Sequence, residues 1–258
     1  IPHVRVPLRT RGMETMEEDH DDGHTTRSRR EFLSLATIAA LAPSAIGSAL
    51  AADPSPPGAP RPNAIAPNEA LSRLMAGNAR YAANNPNERD YSSGRAARAQ
   101  AQYPIAAVLS CADSRVPPEI IFDHGPGDLF VVRVAGNVVN RDLLASIEYG
   151  VEFLGVPLVM VLGHSRCGAV DAAIKVLRRK AALPGHLPEL IRTLKPAVIV
   201  AERTRRGDLL ESAIAENVGR QVTALRNSPP VVKRLYAGKK IDIVGAVYDL
   251  ATGKVAMV

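Results

Sequence analysis

From Pro104 onward the chain alternates short, predominantly apolar runs with stretches of helical period, and no other feature restricts its fold as much. The runs cover residues 105–109, 129–134, 157–162 and 241–247. They are too short for typical helices and lack the polar alternation of a strand with one wet face. They therefore predict strands covered on both faces, as in a parallel sheet between layers of helices. Residues 141–154, 168–181 and 208–227 show helical spacing and supply the crossovers, the last opening with Asp208 and Glu211 as a capping pair. Residues 249–254 predict a hairpin turn feeding an edge strand over 255–258. The expected class is α/β, with a mainly parallel central β-sheet flanked by helices.

Ahead of the sheet, Asn68 is expected to cap a helix carrying Leu71, Leu74 and Met75 on one face, and a second helix is expected over about 93–102. These N-terminal helical arms are too thin to fold alone and should pack on the main domain or on a second subunit. One domain over 67–258 is expected, preceded by a proline-rich linker over 53–66 that favours extended, solvated backbone. Residues 1–52 read as an export leader. Arg29 and Arg30 precede an apolar stretch over 35–42 that is too short to span a bilayer, and Ala49, Leu50 and Ala51 offer small residues for cleavage. The order resembles a twin-arginine signal, an address read by a receptor rather than an anchor. It implies transient contact with the twin-arginine export machinery, no stable membrane anchor, and a periplasmic or extracytoplasmic location after cleavage near Ala51. His20 and His24 are read as part of a polar tail.

The net charge of +6 raises the question of a polyanionic partner, with Lys175, Arg178, Arg179, Lys180, Arg203, Arg205 and Arg206 as the candidate patch. The chain has no Trp, only four Phe and six Tyr, and no helix-turn-helix or finger spacing, so an interleaved stacking surface is lacking. The basic residues are read as solvated helix faces, and no nucleic acid partner is expected.

The two cysteines are the only ones in the chain, and both stand in chemically dense motifs: Cys111-Ala-Asp-Ser-Arg115 and His164-Ser-Arg-Cys167. Two cysteines cannot build a disulfide framework. Thiolate, imidazole and carboxylate are ligands that tetrahedral zinc accepts, and three strong ligands leave a fourth position free for chemistry. Cys111 follows the first predicted strand and His164 the third, at the carboxyl ends where open α/β sheets place their sites. Cys167 falls at a helix start, where the dipole is expected to favour thiolate.

These motifs, together with Gly127-Asp-Leu-Phe-Val-Val-Arg133, Ala135-Gly-Asn137 and Gly163-His-Ser-Arg-Cys-Gly168, resemble the β-class carbonic anhydrases over about residues 67–258. The resemblance implies one Zn²⁺ per chain held by Cys111, His164 and Cys167, with water as fourth ligand, or Asp113 in an inactive state. It implies that Arg115 pairs with Asp113, keeping the carboxylate ionised and oriented as the catalytic acceptor. By the same comparison Gln102 is a substrate-side donor reaching in from a neighbouring subunit, Gly168 offers a backbone N–H to bicarbonate, and Phe130, Ala135 and Tyr149 line an apolar cleft for CO₂. The implied assembly is a homodimer or homotetramer. His124 stands where the pattern has Gln and Pro126 where it has Leu, and His124 is left outside the core site. The lack of Trp removes part of a bicarbonate-regulated site found in some relatives. The implied reaction is reversible hydration of CO₂ to bicarbonate and a proton. The rival readings are hydrolysis of carbon disulfide or carbonyl sulfide on the same scaffold, and a non-catalytic zinc-stabilised interaction protein.

Overall fold

The middle strands are buried on both faces, as their wholly apolar sequences require. No residue of β1 (Ala106–Ser110) or β3 (Leu158–His164) is exposed. With β2 (Leu129–Arg133), β4 (Asp242–Tyr248) and β5 (Val255–Met257) they form one sheet in the order β2-β1-β3-β4-β5. All pairings are parallel except that of β4 with β5. This computed structural model describes residues 60–179, 183–204 and 207–258, all within one compact unit. The expected leader, its twin-arginine pattern and cleavage region, and linker residues 53–59 lie outside the described residues, as do Lys180, Arg205 and Arg206.

Strand alternation divides the core into two layers. Ala106, Val108, Leu158, Met160 and Leu162 face a cluster that takes in Leu74 of α1 (Pro67–Ala82) and Ile121 of α3 (Pro118–Ile121). Ala107, Leu109, Val159 and Val161 face the opposite layer, built on α4 (Arg141–Glu152), α7 (Leu209–Arg226) and α8 (Val231–Ala237). A third cluster joins α5 (Gly168–Arg179) and α6 (Leu187–Thr204) to Cys111 and Cys167, so the two cysteines are packed among apolar side chains.

Several local details differ from the sequence expectation. Asn68 does not cap α1. Ala66 holds the capping position with Pro67 directly after it, a residue suited to the first helical turn because its missing N–H has no acceptor there. α2 (Arg95–Gln100) is shorter than expected, starting after Gly94 at φ 71°, and buries none of its residues. α1 does pack on its own domain. The buried Asn78 amide donates to Ile121 O and Gly253 O, and its Oδ1 accepts from Val255 N. Asp208 caps α7 by accepting from Glu211 N at 3.0 Å, but Glu211 turns to accept from Arg166 N rather than closing the box. α3, α6 and α8 have no counterpart in the sequence expectation. In α6 an internal Pro196 reads as a helix breaker, yet five buried residues on one face hold the helix against α5 and α7. Among the described residues no helix is long and apolar enough to cross a membrane.

Candidate metal centre

β1 ends at Ser110 and β3 at His164, so the parallel sheet delivers Cys111 and His164 side by side at its carboxyl edge. Cys167 arrives from the three-residue link to α5, which turns sharply through Arg166 at φ 54°. The Sγ atoms of both cysteines and a His164 ring nitrogen lie within 4.8 Å of one another, and all three residues are buried.

The chemistry of the three donors fits a divalent metal. His164 Nδ1 lies 2.9 Å from Ser165 O, and because a carbonyl only accepts, Nδ1 carries the proton. The lone pair is then on Nε2, which is buried and has no hydrogen-bond partner. An orphaned buried acceptor beside two thiols is costly on its own and is satisfied by a cation. Left to themselves, the thiols share a proton. Cys167 hydrogen-bonds to Cys111 and pulls the Cys111 pKa well below the usual thiol value, helped by the Asp113 and Gly136 N–H groups. Cys167 moves the opposite way, raised by that same interaction and by burial. The Ala169 and Val170 N–H groups of the first helical turn act on Cys167 toward thiolate, as expected of a helix start, and the proton shared with Cys111 opposes them. A cation bound between them replaces the shared proton and allows both to ionise.

Asp113 stands beside this group, its Oδ2 3.9 Å from His164 Nε2. Arg115 grips it with a fork: Nε donates to Oδ1 at 2.9 Å, Nη2 to Oδ2 at 2.7 Å, and the Arg115 backbone N–H adds a third bond to Oδ1. The Arg115 guanidinium holds the Asp113 carboxyl well below the usual carboxylate range, so it is ionised throughout the neutral range. A cleft of about 640 Å³ opens beside Arg115, rimmed by Arg166, Glu211 and Tyr248.

The structure brings Ala135 and Gly168 to the same place. Ala135 opens a short 3-10 turn (Ala135–Asn137) whose Gly136 N–H donates to Cys111 Sγ at 3.3 Å. Gly168 is the first residue of α5, directly after Cys167. Its N–H belongs to the first turn, where donors have no intrahelical acceptor. Gln102, Phe130 and Tyr149 are elsewhere in the same chain. Gln102 is exposed and precedes β1, so the whole strand, roughly 16 Å at 3.3 Å per residue, separates it from Cys111. Phe130 pairs in register with Ala107 near the amino end of β1, and its ring lies 6.3 Å from that of Tyr149 on α4. His124 also sits before β2, its Nδ1 3.4 Å from Asp128 Oδ2.

A family profile for carbonic anhydrase matches residues 106–255, spanning both motifs and the sheet. Carbonic anhydrase 2 of Mycobacterium tuberculosis is 38% identical over 194 residues, 74% of this chain and 92% of that relative. A carbonic anhydrase of Mycolicibacterium smegmatis is 40% identical over 195 residues, covering 74% and 93% respectively. The chain belongs to the β-class carbonic anhydrases. Solved structures agree on the fold: the β-carbonic anhydrase of Coccomyxa, described in complex with acetazolamide, superposes with a TM-score of 0.58 at 30% identity over 73% of this chain and 86% of that one. One of two tetrameric β-carbonic anhydrases from Sordaria macrospora gives 0.58 at 26% identity over 74% and 95%.

Within this β-class carbonic anhydrase, Arg133 stands at the site although no role for it is apparent from the motifs alone. Its Nε donates to Cys111 O at 3.1 Å and its Nη2 to Asp113 O at 2.6 Å, clamping the loop that carries both side chains. The signal was present in the Gly127–Arg133 motif, but a strand-end arginine reveals its target only when β1 and β2 are paired.

Proposed function

We propose that this enzyme catalyses the zinc-dependent, reversible hydration of CO₂ to bicarbonate and a proton. The observation that carries the reading is the buried Cys111–His164–Cys167 group with an ionised, doubly gripped Asp113 at its side. The family to which the chain belongs supports the same activity. Cys111, His164 and Cys167 hold the zinc, which when bound acts as a Lewis acid and brings the ionisation of water toward neutral pH. Asp113 then works as an acceptor: it takes a hydrogen bond from the attacking water or hydroxide and turns its lone pair toward carbon. The Arg115 fork stops Asp113 from rotating and from taking the proton for itself. Gly168 offers an unpaired first-turn N–H to the charge that develops on bicarbonate, and Ala135 walls the apolar side. For Asp113 to act instead as a fourth metal ligand, its carboxylate has to leave Arg115, so the fork favours the open, active arrangement.

The separation of Gln102, Phe130 and Tyr149 from the metal group supports a homodimer or homotetramer in which these residues serve the centre of another copy. The exposed α2 and the tetrameric Sordaria relatives favour such an assembly. Export through the twin-arginine route rests on Arg29, Arg30 and the apolar stretch after them. A reporter fused behind residues 1–60 should reach the periplasm of a host with that pathway and stay inside one lacking it.

Stopped-flow CO₂ hydration by residues 53–258, with zinc quantified and Cys111→Ser alongside, tests the activity. Rapid hydration with one zinc per chain, lost in the variant, is expected. Bound zinc without hydration, or turnover only of carbon disulfide or carbonyl sulfide, overturns it.

A further inference from the structure

A buried polar ladder runs from α7 to the metal centre and is used by nothing described so far. Gln221 Oε1 accepts from Val139 N at 2.9 Å, and Gln221 Nε2 donates to Asn217 Oδ1 at 3.0 Å. Asn217 Nδ2 in turn donates to Gly136 O at 2.8 Å, and Gly136 N donates to Cys111 Sγ. Asn217 and Gln221 are 1% and 7% exposed, on a helix face otherwise lined with Val218, Val222 and Leu225. Burying two carboxamides in such a layer is unfavourable unless each polar group is paired, and here the pairing partners are the backbone of the turn and of Val139 just beyond it. The turn needs outside support: Gly136 is at φ 72° and Asn137 at φ 45°. A Cβ at Gly136 would press on Leu194 of α6 at 3.1 Å.

We propose that Asn217 and Gln221 are positioning residues for the metal centre, holding the Ala135–Asn137 turn so that Gly136 N–H points at Cys111 Sγ. This rests on the reading of Cys111 as a metal ligand. An N–H donor on a ligating sulfur withdraws charge from it and fixes its direction, and outer partners of this kind commonly alter metal affinity about 10–100-fold. The same two residues set the wall formed by Ala135, so one helix face adjusts both the ligand and the apolar side of the site.

Cobalt(II) reports on the sulfur directly, because thiolate-to-cobalt charge transfer shifts with electron density on the thiolate. Asn217→Leu removes the bond to the turn and Gln221→Met the support behind it, each with little change in volume. Val222→Ala is the control: it lies on the same helix, but packs against β4 near Gly245. The folded Co(II) protein and its variants are compared by near-ultraviolet absorption, thermal midpoint, and metal affinity from chelator competition. The expected result is a displaced charge-transfer band with about 10-fold or more loss of affinity in Asn217→Leu and a smaller change of the same sign in Gln221→Met, with Val222→Ala losing thermal stability alone. Should Asn217→Leu fail to fold, Gln221→Met decides, since it leaves the Asn217 bond to Gly136 in place and should show a smaller shift of the same sign. An unchanged band and affinity in a folded ladder variant overturns the proposal. Absence of any thiolate band in the parent protein overturns the metal assignment instead.

Discussion

At the scale of single residues, the site works by restricting freedom. Asp113 has both carboxylate oxygens engaged by Arg115, while Arg133 holds the backbone carbonyls of Cys111 and of Asp113 itself. Asp113→Asn keeps the shape but removes the charge and presents an N–H where an acceptor is needed, so kcat for CO₂ hydration should fall by about 10²-fold or more with zinc content unchanged. Stopped-flow turnover alongside metal analysis checks both halves. Gly136→Ala tests the turn from the backbone side: an L residue in the left-handed region costs about 1–2 kcal/mol, and the added Cβ meets Leu194. Its unfolding midpoint should drop, and its zinc affinity with it. The grouping of Cys111, His164, Cys167 and Asp113 was legible in the sequence because their chemistry is rare and they stand in two short motifs, each at the end of a predicted strand. Asn217 and Gln221 were not, because a carboxamide pair at i, i+4 looks like a solvated stripe until the fold places it against a turn far away in sequence.

At the scale of elements, the strands were readable because a strand buried on both faces must be apolar throughout, whatever it packs on. Helices whose existence depends on tertiary contacts were not. α6 carries a proline at position 196 and is held by its buried face, while α3 and α8 are too short to show a period. The arms depend on a different junction, at the end of α3. Asp123 is buried there. Desolvation acts to raise its pKa, but Arg80, the Asn87 N–H and Arg89 more than offset that and leave it below the usual carboxylate value. Arg89 also donates to Asp123 O, so one residue fastens α1 and the segment leading to α2. Because the folded pKa is depressed, this stabilisation is present above the unfolded value of about 4 and is lost as pH falls through the folded one. Asp123→Asn should therefore cost about 1–3 kcal/mol at pH 7, and the gap from the parent should begin to narrow below about pH 4 and close as pH falls through the folded value. Urea unfolding at pH 7, 5 and 3.5 measures it; a gap independent of pH would mean the ion pairs contribute nothing.

At the scale of the whole molecule, the residues expected to bind substrate do not all meet within one chain. The parallel sheet sends Cys111, His164 and Cys167 to its carboxyl edge and leaves Gln102 and Phe130 at the amino side, so no side-chain rotation within the chain unites them. The motifs name the expected residues but not this division, since the direction of a strand becomes apparent only in the assembled sheet. If the pocket is shared between copies, damage at the two ends should complement. Cys111→Ser chains lack a metal group but keep Gln102, while Gln102→Leu chains keep the metal group and lack the donor. In a mixed dimer, the one intact metal group faces the one intact Gln102. Co-refolding the two variants in equal amounts should then restore roughly a quarter of parental CO₂ hydration per chain, because half of random dimers are mixed and each carries one complete site. The measurement is activity before and after mixing, with the mixed species isolated through different affinity tags. Activity equal to the average of the separate variants would mean that Gln102 does not act on a neighbour's metal centre.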